Sequence, residues 1–222
     1  MLLGPNGAGK TSIINALSNN INYDGHIKLY DVELNKYKQK DLAKMIAFLP
    51  QSISSTFNFS VEEIVAMGRY CYQKGAFSSL DDNDKNIIDW AIKSVGLTSF
   101  KDRPIFEMSG GEVQRVFIAQ ALAQEAKILV LDEPTNNLDI QYQKQILELI
   151  QSLIKEKRIS VISAVHDLST AKYWGNKALL LDSGRAKAFD SVDKVFSSKD
   201  FAKIYPKTVC DYMVNLLEAW QD

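Results

Sequence analysis

Gly4-Pro5-Asn6-Gly7-Ala8-Gly9-Lys10-Thr11 decides how the rest of this chain is read. The pattern is G-x-x-x-x-G-K-T. It follows the apolar stub Met1-Leu2-Leu3 and opens a helical stretch from Thr11 to about Leu17. A strand that enters a glycine-rich turn and then a helix is the setting in which this pattern binds phosphate. Glycines let backbone amides turn inward around a phosphate chain. Candidate ligands are the backbone groups of Asn6, Gly7, Ala8, Gly9, Lys10, Thr11 and Ser12. Lys10 is expected to reach the β- and γ-phosphates, and the Thr11 hydroxyl to bind Mg2+. The helix adds its partial positive end, roughly half a charge. Alone, the motif specifies a nucleoside triphosphate and nothing finer.

Working outward, Asp24-Gly25 marks a tight turn before a short alternating strand, His26–Leu29. Asp41–Lys44 reads as one helical turn, and Met45–Leu49 as a strand broken by Pro50. From about residue 53 to 125 the chain reads as all-helical. Ser60-Val61-Glu62-Glu63 resembles a capping box. Asp81–Val95 carries Ile87, Ile88, Ala91, Ile92 and Val95 on one helical face and stops at Gly96. Ser109-Gly110-Gly111 opens another helix, to about Gln124.

Ile128–Leu131 is wholly apolar, as a parallel strand buried on both faces is. Ile140–Glu156 is amphipathic, with Ile146, Leu149, Ile150, Leu153 and Ile154 as its stripe. Val161–Val165 reads as a strand, and Lys177–Leu181 with Arg185–Ala188 as a closing hairpin around Gly184. Asp190–Asp222 is helical and mixed. Alternating strands and helices predict a doubly wound α/β core with a helical lobe inserted.

Composition narrows the partners. A formal net charge of −1 gives no bulk electrostatic case for nucleic acid. No stretch approaches the roughly 20 apolar residues of a membrane helix, and no signal peptide is visible. Cys71 and Cys210 lie far apart and read as free thiols in a reducing compartment.

Two further constellations carry chemistry. Asp132-Glu133-Pro134 follows the apolar strand, so Asp132 is expected to hold Mg2+ and Glu133 to orient and deprotonate an attacking water. Ser109, Gly110 and Gly111 at a helix start make a second anion site, although a plain helix cap explains that stretch taken singly. A second phosphate-binding helix end in a chain with one phosphate loop wants another nucleotide, which a dimer supplies.

The order of these features carries the identification of a family. Phosphate loop, Gln51 after a strand, Ser109-Gly110-Gly111-Glu112, Asp132-Glu133, Asn137-Leu138-Asp139 and His166 after a strand follow one another. Over nearly its whole length the chain resembles the ABC ATPases. Leu49-Pro50-Gln51 is similar to their Q-loop, Met108–Glu112 to their signature motif, Asn137–Asp139 to their D-loop and Ala164–Asp167 to their H-switch. Met108 stands for the usual leucine, Glu112 for glutamine, and Asp31 for a turn glycine.

The resemblance implies a P-loop NTPase, RecA-like parallel-sheet core at 1–52 and 126–190, an inserted helical subdomain at 53–125 and a helical tail at 191–222. It implies ATP with Mg2+, the metal held by Thr11, Gln51 and Asp132. Glu133, His166 and Gln51 become the catalytic set, and Asp139 joins the cofactor-binding residues. Implied partners are a second copy, head to tail, a multi-spanning permease, and through it an extracytoplasmic substrate-binding protein. The implied place is the cytoplasmic face of the membrane. The permease is expected to insert a short helix near Phe57–Met67, so charge reversal at Glu62 or Arg69 is expected to weaken assembly.

Val61–Tyr70 looks like the importers of iron-siderophores, haem and cobalamin, with importers of zinc or manganese next nearest. DNA-repair and chromosome-organising ABC ATPases carry long coiled coils that this chain lacks, and translation-factor members carry two cassettes. A plain P-loop kinase or GTPase explains neither Ser109-Gly110-Gly111 nor His166. Family members carry further strands and an adenine-stacking aromatic before the phosphate loop. The chain starts three residues before Gly4. A truncated N-terminal β-subdomain, from a misassigned start or a shortened chain, is therefore expected, and with it weak ATP binding.

Overall fold

A computed structural model describes residues 1–49, 58–73, 79–136, 138–206, 208 and 211. In chain order the first elements are β1 (Leu2–Leu3), α1 (Lys10–Leu17), β2 (Lys28–Leu29), β3 (Val32–Glu33), α2 (Gln39–Met45) and β4 (Ile46–Leu49). Next come α3 (Val61–Ala66), α4 (Asp82–Ser94), α5 (Gly110–Ala123), β5 (Ile128–Asp132) and α6 (Ile140–Lys157). Then follow β6 (Ser160–Ala164), α7 (Leu168–Trp174), β7 (Lys177–Asp182), β8 (Arg185–Ser191), α8 (Val192–Phe196) and α9 (Lys199–Ile204). It divides into two compact units, residues 1–13 with 164–222, and residues 14–163. The boundary falls inside α1 and again before the last residue of β6.

In the first unit β1 runs parallel to β7, with Leu2 opposite Leu179 and Leu3 opposite Leu180. On its other side Leu2 pairs with Ala164. β8 runs antiparallel to β7, joined through Ser183 and Gly184, both at positive φ (50° and 73°), the two-residue turn that suits a tight hairpin. Leu3, Val165, Leu168, Ala178 and Leu180 pack with Val192, Val195 and Phe201 into a core. β8 extends to Ser191, past the expected Ala188, although most of its residues are exposed. Pairing to β7, not burial, holds it.

In the second unit β4 runs parallel to β5, Ile46 opposite Ile128 through Leu49 opposite Leu131. β6 flanks β5 on its other side. β5 is buried from Leu129 onward, as its apolar run requires. The helical stretch packs into the same core: Ile88, Ala91 and Ile92 of α4, Val116 and Ile118 of α5, and Ile146, Ile150 and Leu153 of α6. Helix ends follow the capping chemistry. Ser60 and Asp81 form reciprocal boxes with Glu63 and Asp84, and Gly96 takes φ +70° after α4. The strand expected over His26–Leu29 shrinks to Lys28–Leu29, paired with Val32–Glu33 around Tyr30 and Asp31 at φ 49° and 64°. Asp31 thus occupies the glycine-like turn position in the left-handed region.

Candidate functional site

The phosphate loop lies in the first unit. Gly4 leaves β1 at φ +148°, and a Cβ there would fall 2.3 Å from the Leu181 carbonyl oxygen. Only glycine permits the loop to start this close to β7. Gly7 (φ +77°) and Gly9 (φ +104°) then turn the backbone. The Ala8 amide donates to the Pro5 carbonyl at 3.1 Å, and the Gly184 amide of the β7–β8 turn donates to Ala8 O at 3.1 Å. The loop therefore rests on the hairpin.

Lys10 is buried, and its Nζ donates to Gly4 O at 2.7 Å and Pro5 O at 3.1 Å. A buried ammonium needs such partners, and here the loop's own carbonyls supply them. A Cβ at Gly7 would meet nothing within 4 Å, so the loop faces open space there. Asn6, Gly7, Thr11 and Ser12 are exposed, Gly9 half-buried and Ala8 buried. Because Leu2 and Ala164 are in parallel register, Gly4 and His166 each lie two residues beyond a paired position. His166 is exposed. Asp167 behind it caps α7 by accepting from Ser169 N (3.0 Å) and Thr170 N (2.9 Å).

The acidic pair lies in the second unit, at the carboxyl end of β5. Asp132 and Glu133 are 3% and 6% exposed. Glu133 has φ +53°, in the left-handed region, directly before Pro134. That conformation costs a non-glycine residue about 1–2 kcal/mol, and a proline further restricts the residue before it. The surroundings hold it in place. The Asn136 side-chain amide donates to Glu133 Oε2, and the Asn136 backbone N–H donates to Glu133 O at 3.1 Å. Buried Gln114 of α5 donates to Pro134 O at 3.3 Å. Gln143 of α6 donates to Thr135 O (3.3 Å) and Leu138 O (3.0 Å). Strain held by a surrounding network is common where a side chain must be aimed.

Ser109 caps α5 within the same unit. Its backbone N–H donates to Glu112 Oε2 at 2.8 Å and its hydroxyl donates to the same oxygen at 2.9 Å, while the Glu112 amide donates back to Ser109 Oγ at 3.4 Å. The Ser109 amide holds the Glu112 carboxyl below the usual carboxylate range. A carboxylate thus already takes the place of an anion at this helix end. Gly110 is exposed and Gly111 half-buried. Asp139 caps α6, accepting from Tyr142 N at 3.0 Å.

Each expected residue can now be placed. Asn6–Ser12 and His166 belong to the first unit; Ser109, Gly110, Gly111, Asp132, Glu133 and Asp139 belong to the second. Pro50, Gln51, Asn137 and Cys210 lie outside the described residues. Sequence reasoning missed Asn136, Gln114 and Gly184 as supports of the two loops. Only the three-residue spacing from Glu133 to Asn136 hints at any of them.

Among the described residues no cluster of three or more His, Cys, Asp or Glu could hold a metal. The donors expected for Mg2+ are the Thr11 hydroxyl, the buried Asp132 carboxylate and Gln51, which lies outside the described residues. Hard oxygen donors in so small a number fit a Mg2+ that completes its shell with water and phosphate oxygens, not a protein cage.

Arg69 corrects an expectation. It is 3% exposed, with Nε donating to Asp84 at 2.7 Å and Nη1 to Ala123 O at 2.7 Å and Glu125 at 3.0 Å. It also lies 4.0 Å from the Tyr72 ring centroid. Arg69 ties the lobe together internally and offers no charge to a partner. Glu62 keeps its place on the surface, 3.1 Å from Lys101. Cys71 is buried, and burial pushes its thiol above the ordinary range, so it is not an activated thiol.

The sequence pattern of the family described as ABC transporter matches residues 1–136. The iron(3+)-hydroxamate import ATP-binding protein FhuC of Bacillus subtilis (strain 168) is 39% identical over 184 residues, covering 82% of this chain and 68% of that protein. The ABC transporter ATP-binding protein YvrA of the same organism is 39% identical over 209 residues, 94% of this chain. The chain spans about half of that relative's length, 47%. A solved inward-facing ABC transporter described as of the metal-chelate type superposes with a TM-score of 0.78 at 30% identity, covering 92% of this chain and 76% of that one. Among the described residues no helix is long and apolar enough to cross a membrane.

Proposed function

We propose that this chain, which belongs to the ABC transporter family, is the subunit that binds and hydrolyses ATP for an importer of iron-siderophore, haem or cobalamin. Buried Glu133 carries the catalytic part of the reading. A carboxylate in an unfavourable backbone conformation, accepting a hydrogen bond from Asn136, is suited to aim at one water and take its proton. Such a base contributes about 10²–10⁴ in rate. The similarity to a protein named for iron(3+)-hydroxamate import supports the cargo class.

The remaining roles follow from chemistry. Backbone groups of Asn6 to Ser12, with Lys10, hold the β- and γ-phosphates, so Lys10 exchanges the Gly4 and Pro5 carbonyls for phosphate oxygens. Thr11, Gln51 and Asp132 hold Mg2+, which when bound neutralises charge on the phosphates. His166 orients the γ-phosphate and the water. Ser109, Gly110, Gly111 and Asp139 close on the ATP of a second, head-to-tail copy. Glu112 must then yield its hold on Ser109 as phosphate arrives. Gln51 links this site to a membrane permease at the cytoplasmic face, and an extracytoplasmic binding protein delivers cargo to that permease. The core at 1–52 and 126–190, the lobe at 53–125 and the tail at 191–222 are the working divisions of this reading.

Two variants test it. Lys10→Ala is expected to abolish ATP binding in equilibrium titrations, and undiminished binding overturns the phosphate-loop assignment. Ser109→Arg is expected to leave nucleotide binding by the monomer intact while blocking dimer formation and hydrolysis. Loss of monomer binding in that variant places Ser109 on its own subunit's nucleotide and refutes the trans role.

A further inference from the structure

The second unit carries a cleft of about 430 Å³, away from every residue assigned above. Its size lies within the ordinary range for small-molecule sites, about 300–1,000 Å³. Buried Leu122 and Leu129 give it an apolar lining. Lys44, Lys127 and Lys157 also line it, brought from α2, the α5–β5 connection and the end of α6. None of these three lysines forms an ion pair with a described carboxylate. The one carboxylate in the lining, Glu125, is engaged by Arg69 at 3.0 Å. The cleft is therefore cationic in a chain whose formal net charge is −1.

Aromatic rings complete it. Lys157 Nζ lies 4.1 Å from the Trp90 ring centroid, and Lys44 Nζ 5.6 Å from that of Tyr72. With the Glu125 carboxylate taken by Arg69, these two ammonium groups settle on the faces of rings, the next best electrostatic partner. An aromatic anion improves on both halves of the arrangement. Its ring packs on the half-buried Trp90 and Tyr72, and its charge exchanges the lysines' weaker contact with a ring face for direct ion pairing.

We propose that this cleft is a binding site for a small planar aromatic anion, distinct from the phosphate loop. The site goes beyond the ATP reading and does not rest on it. Small solvated anions lack the ring, and neutral aromatics lack the charge, so the combination is what the site selects.

Naphthalene-1,5-disulfonate is the probe, titrated calorimetrically into the full chain with saturating ADP present and again without it. One saturable site, unaffected by ADP and weakening with added salt, is the expected result. Inorganic sulfate and neutral 2-naphthol are expected to bind at least about tenfold more weakly. The double variant Lys127→Gln/Lys157→Gln changes two exposed side chains. It is expected to lower affinity about tenfold or more while keeping the wild-type melting temperature. Trp90→Phe should retain binding and Trp90→Leu should lose most of it. Absence of a saturable site, an affinity indifferent to the lysine substitutions, or displacement of the probe by ADP each overturns the proposal. If instead ADP itself does not bind, the phosphate-loop assignment fails, and the titration without ADP still decides the cleft.

Discussion

The two loops that carry the proposed chemistry are built on opposite plans. Gly4 to Lys10 is a backbone device. Its turns fall on Gly4, Gly7 and Gly9, all at positive φ, and the working groups are main-chain amides and one lysine. Asp132 to Asp139 is a side-chain device. Its turn also needs a positive φ, but Glu133 occupies it at +53°, and Asn136, Gln114 and Gln143 hold the loop from their side chains. Where amides bind, glycine meets the geometry without strain. Where a carboxylate must react, glycine is unavailable, and neighbouring groups bear the strain instead. The phosphate loop should therefore be sensitive to added atoms, and the acidic loop to removed ones.

The largest effect is expected at Gly4. Gly4→Ala places a Cβ against the Leu181 carbonyl at 2.3 Å and should lower stability by about 3 kcal/mol or more, read from denaturant midpoints. Gly7→Ala meets nothing within 4 Å and should cost only the left-handed penalty, about 1–2 kcal/mol. Equal losses at the two positions would break the steric account of Gly4.

Next comes the acidic loop. Asn136→Ala removes the side-chain hydrogen bond that Asn136 donates to the Glu133 carboxylate. Turnover should fall about ten- to a hundredfold through misorientation, with ATP affinity unchanged. A matching fall in affinity would show that the two loops do not divide the work.

How much of this was legible in the sequence depends on the kind of interaction. The helices α4 and α6 announce themselves because one side of each is buried and the period of apolar residues records it. β5 is legible because both its faces are covered. The phosphate loop is legible because its geometry demands glycine at fixed spacing. Arg69 was misread because its partners, Asp84 and Glu125, lie 15 and 56 residues further along the chain, and no local pattern marks a buried charge as paired. The φ of Glu133 is likewise invisible, because the residue type argues against it and only the packed loop imposes it.

A smaller effect is expected at Glu133 itself, from its left-handed backbone. Glu133→Gly relieves the left-handed penalty that Glu133→Ala retains, less glycine's extra chain entropy. The glycine variant should be about 0.5–1 kcal/mol more stable than the alanine one, with both inactive. Thermal or denaturant unfolding of the pair measures the difference directly, and an alanine variant of equal or greater stability removes strain from the account.

The smallest effect concerns Ser109. The Glu112 carboxyl is held below its ordinary value in the folded chain, so its contribution is present above the unfolded carboxylate value and is lost as pH falls through the lowered folded one. Acidification from neutrality should cost the wild type more stability than Glu112→Gln, whose amide does not titrate. Parallel melting curves across the acidic range show whether the two proteins separate in that direction.

The acidic loop positions one base, Glu133, and the phosphate loop binds the nucleotide independently of that base. Glu133→Gln tests both halves together, by measuring ATP affinity and steady-state hydrolysis on one preparation. Affinity should stay near the wild-type value while hydrolysis falls by about two orders of magnitude or more. Hydrolysis at the wild-type rate would contradict the assignment of Glu133 as the base.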